Sequence, residues 1–218
     1  DRSPSRGLGD VYKRQEKKPR ERVVIESPLN YTGSKSKMVW FIKSQLPKDD
    51  IDTFVDAFGG GFNVGVNINA KKIIYNDINP FVEGLIRSFY SNPCSYLQYI
   101  EKQIKKYNLS PDNKEGFLKL RDKYNSIPVA KRDPRMLYTL ILYGFQQQIR
   151  FNSNWGFNNP AGSRWFNENL LSKFIAFTRS LQTKNVLFMN SNFDVLDIQF
   201  TPHTFIYACL LYTSPSPR

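Results

Sequence analysis

Two carboxylates, Asp56 and Asp77, and a run of three glycines, Gly59, Gly60 and Gly61, are the groups whose types and spacing suit ligand chemistry. They lie in TFVDAFGGGFNVGVNINAKKIIYND, residues 53–77, which reads as an apolar strand, an acid, the glycines, a short helix, a second apolar strand and a second acid. Lacking Cβ atoms, the glycines let the backbone turn sharply and lie close against a ligand. Asp77 follows Gly59 by 18 residues, about where a nucleoside-binding βαβ unit sets a carboxylate on a ribose diol. A strand-turn-helix whose glycines only shape a loop shares the glycine run. The second strand and second acid favour the nucleoside.

The glycine spacing bears on which nucleoside. A dinucleotide site needs G-x-G-x-x-G so that a helix N-terminus meets a pyrophosphate. Here Gly59 and Gly61 are followed by Gly65, one residue late. S-adenosylmethionine carries no phosphate and needs close backbone approach without an anion cradle, so it fits better than NAD.

The elements that must position these groups follow from periodicity. An amphipathic helix passes through Val39, Ile42 and Leu46; strand one ends at Asp56, a short helix covers about 63–69, and strand two runs over residues 72–77. Pro80 opens a helix reaching about Tyr90. Residues 94–107 and 114–125 are helical by spacing, and Pro134 starts a helix that ends near the glutamines. A helix resumes at Glu168, and strands follow at 186–189 and 204–207. Between them QQQIRFNSNWGFNNPAGSRWFN, residues 146–167, mixes amides, aromatics and arginines with no period of 2 or 3.6, as a functional loop does.

Ser5–Gln15 and Cys209–Arg218 can be encoded by stretches of DNA that are reverse complements, a pairing similar to a sequencing-library adapter. Residues 1–15 and 209–218 are therefore expected to be adapter translation and are set aside. The 218-residue chain has a net charge of +12, of which these tails hold +3, so residues 16–208 keep +9. That excess suits either a phosphate-rich partner or a solvated lysine-rich surface. Cys94 is then the one remaining cysteine, which excludes a disulfide framework or a metal cluster and suits a reducing cytosol. No apolar run approaches 18 residues and no signal-peptide pattern precedes the core, so neither a membrane nor a secreted location is expected.

Taken in order, four segments resemble the Dam-like family of DNA N6-adenine methyltransferases over residues 28–208. PLNYTGSKSKM is similar to that family's N-terminal cofactor motif, DAFGGGFNVGVN and NDINP to its glycine motif and ribose-binding acid, and NSNFD to its later adenine-contacting motif. YGFQQQIRFNSNWGFNNPAG resembles the family's DNA-reading insertion through Tyr143, Gly144, Arg150, Asn152, Phe157, Asn158, Pro160 and Gly162. One departure is Phe62, which stands where many relatives carry a further glycine and implies a different loop surface.

The resemblance implies an α/β, Rossmann-like S-adenosylmethionine-dependent methyltransferase core with an incomplete sheet and an α-rich inserted DNA-recognition region. It implies core segments at 16–108 and 168–208 around an insertion at 109–167. S-adenosylmethionine would be held by Tyr31, Lys35, Asp56, Gly59, Gly60, Gly61, Asp77, Phe193 and Asp194. Double-stranded DNA would be met by Phe145, Gln146, Gln147, Gln148, Arg150, Asn152, Asn158 and Arg164, whose amides and guanidinium groups match adenine and guanine edges. Phe145 and Phe151 would wedge between base pairs or pack under the loop. The target adenine must be flipped out of the stack, and the family's Asp-Pro-Pro-Tyr motif then accepts hydrogen bonds from N6. That motif would follow Ala208 but is absent, so no catalytic residue is assigned and the chain as written is expected to be inactive and to fold poorly. The parent is expected to be a monomeric, metal-free cytoplasmic enzyme of a bacterium or phage, in a restriction-modification setting. A methyltransferase of RNA or of a small molecule, and a non-catalytic DNA-binding module, are the alternatives.

Overall fold

In the computed structural model, residues 24–47 and 51–209 are described; the tails expected to derive from an adapter lie outside this range, apart from Cys209. The order is α1 (Val39–Ser44), β1 (Thr53–Asp56), β2 (Lys72–Asn76), α2 (Pro80–Ser91), α3 (Cys94–Tyr107), α4 (Lys114–Asn125), α5 (Pro134–Tyr143), α6 (Glu168–Gln182), β3 (Val186–Met189) and β4 (Thr204–Tyr207). The four strands form one parallel sheet in the order β3-β2-β1-β4.

Local sequence explains where the helices start. Asn79 accepts from the backbone N–H groups of Phe81 and Val82 with Pro80 at the first helical position, and Asp133 accepts from Arg135 N–H ahead of Pro134. Asn113 and Asn167 cap α4 and α6 in the same way. α3 stops where Asn108 turns left-handed at φ 49°.

One hydrophobic core joins the sheet to the helical region. Phe54 and Ile73 point from the strands toward Phe89 on α2 and Phe174 and Phe177 on α6, and Tyr96 and Tyr138 carry the core on into α3 and α5. Phe89 meets Tyr96, Tyr138 and Phe174 with ring centroids 4.9, 5.1 and 5.3 Å apart, edge to face. The opposite face of the sheet buries Val55 and Ile74 under Phe58, Met189, Leu196 and Ile198.

The helix expected near 63–69 is a single 3-10 turn, Gly65–Asn67. Asparagine side chains compete for the backbone there: Asn67 accepts from Ile25 N–H and donates to the Ile25 and Asn63 carbonyls, and Asn63 accepts from Ser27 N–H. The crossover is therefore laced to residues 25–27 instead of coiling. Phe62 adopts φ 61°, a conformation suited to glycine, yet its ring is fully buried edge-on to Tyr75 at 5.0 Å. It faces the core, so the different cofactor-loop surface expected from this residue does not arise. Phe62→Ala should cost about 3–5 kcal/mol in urea unfolding, because the strain stays while the buried ring is lost; a cost under about 1 kcal/mol would contradict that packing role.

Candidate functional site

The parallel register brings the chemistry to one edge of the sheet. Asp56 is level with Tyr75 on β2 and with Tyr207 on β4, and Asn76 is level with Met189 on β3. Asp56, Asp77, the segment after Met189 and Tyr207 thus gather at the carboxyl ends of the strands, where open α/β sheets bind ligands. A cavity of about 250 Å³ opens there, bordered by Tyr31, Lys35, Asp56, Gly59, Gly60, Gly61 and Asp77. Seven of the nine residues expected around the cofactor line this one space.

The glycines serve the protein's own packing. A Cβ on Gly59 would lie 2.3 Å from the Tyr75 ring and one on Gly60 would lie 2.8 Å from the Tyr31 ring. Gly60 also adopts φ 48°. The loop is thus a thin turn pressed between two tyrosines, with the Tyr75 hydroxyl donating to the Gly60 carbonyl at 2.8 Å. Close approach to a ligand follows from that thinness.

Asp77 closes the turn. Its Oδ2 accepts from Gly60 N–H at 2.8 Å and its Oδ1 from Asn79 N–H at 2.8 Å. One acceptor direction on each oxygen is left for hydroxyl donors. Burial raises its pKa above the ordinary carboxylate value, and the two backbone donors pull it back. Lys35 is half-buried on the cavity wall, and among the described residues no carboxylate pairs with it.

Asp56 sits deeper, accepting from Gly65 N–H at 3.3 Å. Burial lifts its pKa from 3.8 to about 7, opposed by that hydrogen bond and reinforced by Asp77. A folded-state value above the unfolded one means the neutral carboxyl is favoured by folding. The associated stability is complete below about pH 4 and is lost as pH rises through about 7. Asp56→Asn should flatten the dependence of urea-unfolding stability on pH across that interval, leaving a weaker slope from Asp77. An unchanged profile would rule out a buried, proton-holding Asp56.

Phe193 and Asp194 stand outside the cavity wall, exposed on the 3-10 turn Phe193–Val195. Phe193 touches the wall indirectly, its ring 5.3 Å from that of Phe58. Their segment is nonetheless tied to the acid end of β2. Asn76 donates to the Ser191 carbonyl and accepts from Ser191 N–H, and Asn190 donates to the Asp77 carbonyl at 2.6 Å. Sequence reasoning missed Asn76 and Asn190 in this role, and also Ile78 and Tyr207 on the cavity wall. Ile78, 68 % exposed directly after Asp77, was signalled by an apolar residue in an otherwise polar turn.

The amide-rich loop divides into two sets. Phe145, Gln146, Arg150 and Arg164 are exposed, and Gln148 is half-buried with its amide on Gln146 Oε1. Gln147 is buried with its amide donating to the Leu142 carbonyl, and Asn152 Oδ1 accepts from the N–H groups of Asn154 and Gly156. Asn158 is half-buried, its Oδ1 without a hydrogen-bond partner among the described residues. Gln147 and Asn152 therefore build the loop. Phe151 stacks on Phe81 at 4.3 Å and packs beneath it instead of projecting as a wedge. Three further residues that sequence reasoning passed over hold this loop. Asn125 pairs with both backbone groups of Phe157, Asn159 donates to the Phe145 and Gln148 carbonyls, and Arg132 donates to the Ile127, Asn125 and Trp155 carbonyls.

No helix among the described residues is long and apolar enough to cross a membrane, and no group of three or more histidine, cysteine, aspartate or glutamate side chains among them could hold a metal ion. Comparison with known proteins converges on one chemistry. The chain is 44% identical over 173 residues to the type II methyltransferase M.FokI of Planomicrobium okeanokoites, covering 78% of this chain and 26% of that protein. It is 40% identical over 187 residues to the modification methylase StsI of Streptococcus sanguinis, covering 84% and 28% respectively. A DNA adenine methylase of Vibrio cholerae is 28% identical over 137 residues, 62% of this chain and 47% of that protein. The chain thus spans about a quarter of the length of the first two relatives. A family profile matches residues 31–208, which contain the glycine turn, Asp77 and the amide-rich loop, and through that match the chain belongs to the D12 class of N6 adenine-specific DNA methyltransferases.

Proposed function

We propose that this chain binds S-adenosylmethionine in the cavity at the carboxyl ends of the strands and meets double-stranded DNA with residues 145–164. The whole protein would then transfer a methyl group to N6 of adenine at a specific site, as the modification partner of a restriction system in a bacterial or phage-infected cytoplasm. It would act as a monomer without metal. The observation that carries the reading is the thin Gly59–Gly61 turn closed by the Asp77 carboxylate, which keeps free acceptor directions beside a lysine that has no carboxylate partner among the described residues.

The donor set fits the cofactor. Asp77 would accept from the ribose hydroxyls, the stronger kind of hydrogen bond because the acceptor is charged. Ile78 would lie against the adenine and Lys35 would pair with the cofactor carboxylate, while Asp56 would attract the amine. When bound, the cofactor supplies a methyl group attached to a cationic sulfur. The protein's share is positioning, since holding reactants in line accounts for much of such a rate. Phe193 and Asp194 would join the site by closure of their turn, hinged on Asn76 and Asn190.

On the DNA side, Gln146, Gln148, Arg150 and Arg164 are the side chains offered for base edges, and the net charge supplies phosphate attraction. Calorimetric titration with S-adenosylmethionine, followed by duplex binding over a salt series, tests the whole. Saturable uptake together with a steep fall of DNA affinity with salt is expected. No uptake in a folded chain would overturn the cofactor assignment, and salt-insensitive or absent duplex binding would overturn the DNA assignment.

A further inference from the structure

We infer that Asn30 is a positioning residue that couples the cofactor site to the DNA-reading loop by clamping a strained turn at Gln146. The inference rests on the function proposed above and adds a link between its two halves. Asn30 Nδ2 donates to the Gln146 carbonyl at 2.6 Å, across 116 residues of sequence. Gln146 and Gln147 adopt φ 51° and 56°, successive left-handed conformations that glycine tolerates and glutamine does not favour. Gln147 secures the inner side of this turn through the Leu142 carbonyl, and Asn30 secures the outer side. Phe145, Gln146 and Arg150, the exposed groups offered to DNA, lie on or beside it.

On its other flank Asn30 adjoins Tyr31, whose ring covers Gly60, and Gly60 donates to Asp77. Contacts thus run without a gap from the Asp77 carboxylate through Gly60, Tyr31 and Asn30 to the loop. Cofactor that fixes Tyr31 also fixes Asn30, and a fixed Asn30 keeps the Gln146 turn in its left-handed form. Without the clamp the turn relaxes to commoner backbone angles and turns Gln146 and Phe145 away from the DNA face. Strain held at such a turn is the two-state element that coupling between sites requires. By linkage, DNA must tighten cofactor by the same factor as cofactor tightens DNA.

The test is a thermodynamic cycle on the 218-residue chain. A duplex is first enriched by this chain from a pool with a randomised centre. S-adenosylmethionine affinity is then measured by calorimetry with and without that duplex, at one salt concentration. We expect the parent to show coupling of about five-fold or more, within the usual range for linked sites. Asn30→Ala, at an exposed position, should keep its melting temperature while the factor falls to about one. Gln146→Asn in the Asn30→Ala background should restore part of the duplex affinity, because asparagine tolerates the left-handed region and keeps an amide. A role in fold stability alone would not give that rescue. Should Asn30→Ala fail to fold, Asn30→Asp removes the donor while keeping the shape. Coupling retained in the Asn30 variants, no coupling in a parent that binds both ligands, or no rescue by Gln146→Asn would each overturn the inference. A folded parent that binds neither ligand would overturn the proposed function itself, and this link with it.

Discussion

Asp77→Ala should reduce S-adenosylmethionine affinity by at least about 100-fold, since two hydrogen bonds to a charged acceptor are lost at about 1.5–3 kcal/mol each. The same carboxylate also holds the turn, so a second effect is expected. Gly60 N–H and Asn79 N–H lose their acceptors, and burying an unpaired donor costs about 1–3 kcal/mol. Asp77→Asn separates the two. Its remaining carbonyl oxygen can still accept from one backbone N–H, so it should recover much of the urea-unfolding stability, but with half the acceptor capacity and no charge it should recover little affinity. Calorimetry and urea unfolding on both variants decide the matter. Affinity unchanged in Asp77→Ala would remove the basis for placing the cofactor here, and equal stability in wild type and Asp77→Ala would show that the glycine turn does not depend on the carboxylate.

Regular elements were legible in the sequence because their signals are local and repeated. The apolar spacing in residues 94–107 and 114–125 marks the bounds of α3 and α4, and Pro80 and Pro134 mark the starts of α2 and α5. The Gly59–Gly61 run and Asp77 pointed to one site for a related reason: strand-turn-strand order alone brings both to the carboxyl edge of a parallel sheet. What the glycines touch was not legible, because Tyr31 and Tyr75 reach them only in three dimensions. Amides were the least legible. Gln147, Asn152 and Asn159 have the same chemistry as Gln146 and Gln148, and only the folded backbone decides which of them bond to main-chain groups. Asparagines at 63 and 67 likewise replaced an expected helix with a laced turn, a competition that apolar periodicity cannot register. Asp194 belongs with these, since its distance from the cavity depends on how an exposed turn sits, not on its neighbours in sequence.

Arg132→Ala should loosen the amide-rich loop and cost about 3 kcal/mol, at the upper end for a single charged hydrogen-bonding side chain. Its guanidinium donates to carbonyls from α4 at Asn125, from the following turn at Ile127 and from the loop tip at Trp155, and it lies 4.9 Å from the Tyr124 ring centre and 5.9 Å from that of Phe81. Phe81 in turn stacks on Phe151, which bridges to Phe157 across the turn that contains Trp155. One planar cation therefore ties the last turn of α4, the first of α2 and the tip of the loop. Lysine retains the charge but cannot reach three carbonyls in a plane while stacking on two rings, so Arg132→Lys should recover less than half of the loss. Amide hydrogen exchange should quicken at Trp155 and Gly156 in both variants while Phe89 and Tyr96 in the core keep their protection. Affinity for an enriched duplex should fall at least ten-fold relative to a random one, with the salt slope nearly unchanged, because Arg132 shapes the reading surface and makes few phosphate contacts of its own. An equal loss on both duplexes would make Arg132 a plain phosphate contact, and full function in Arg132→Lys would show that charge alone, not the threefold carbonyl clamp, sets the loop.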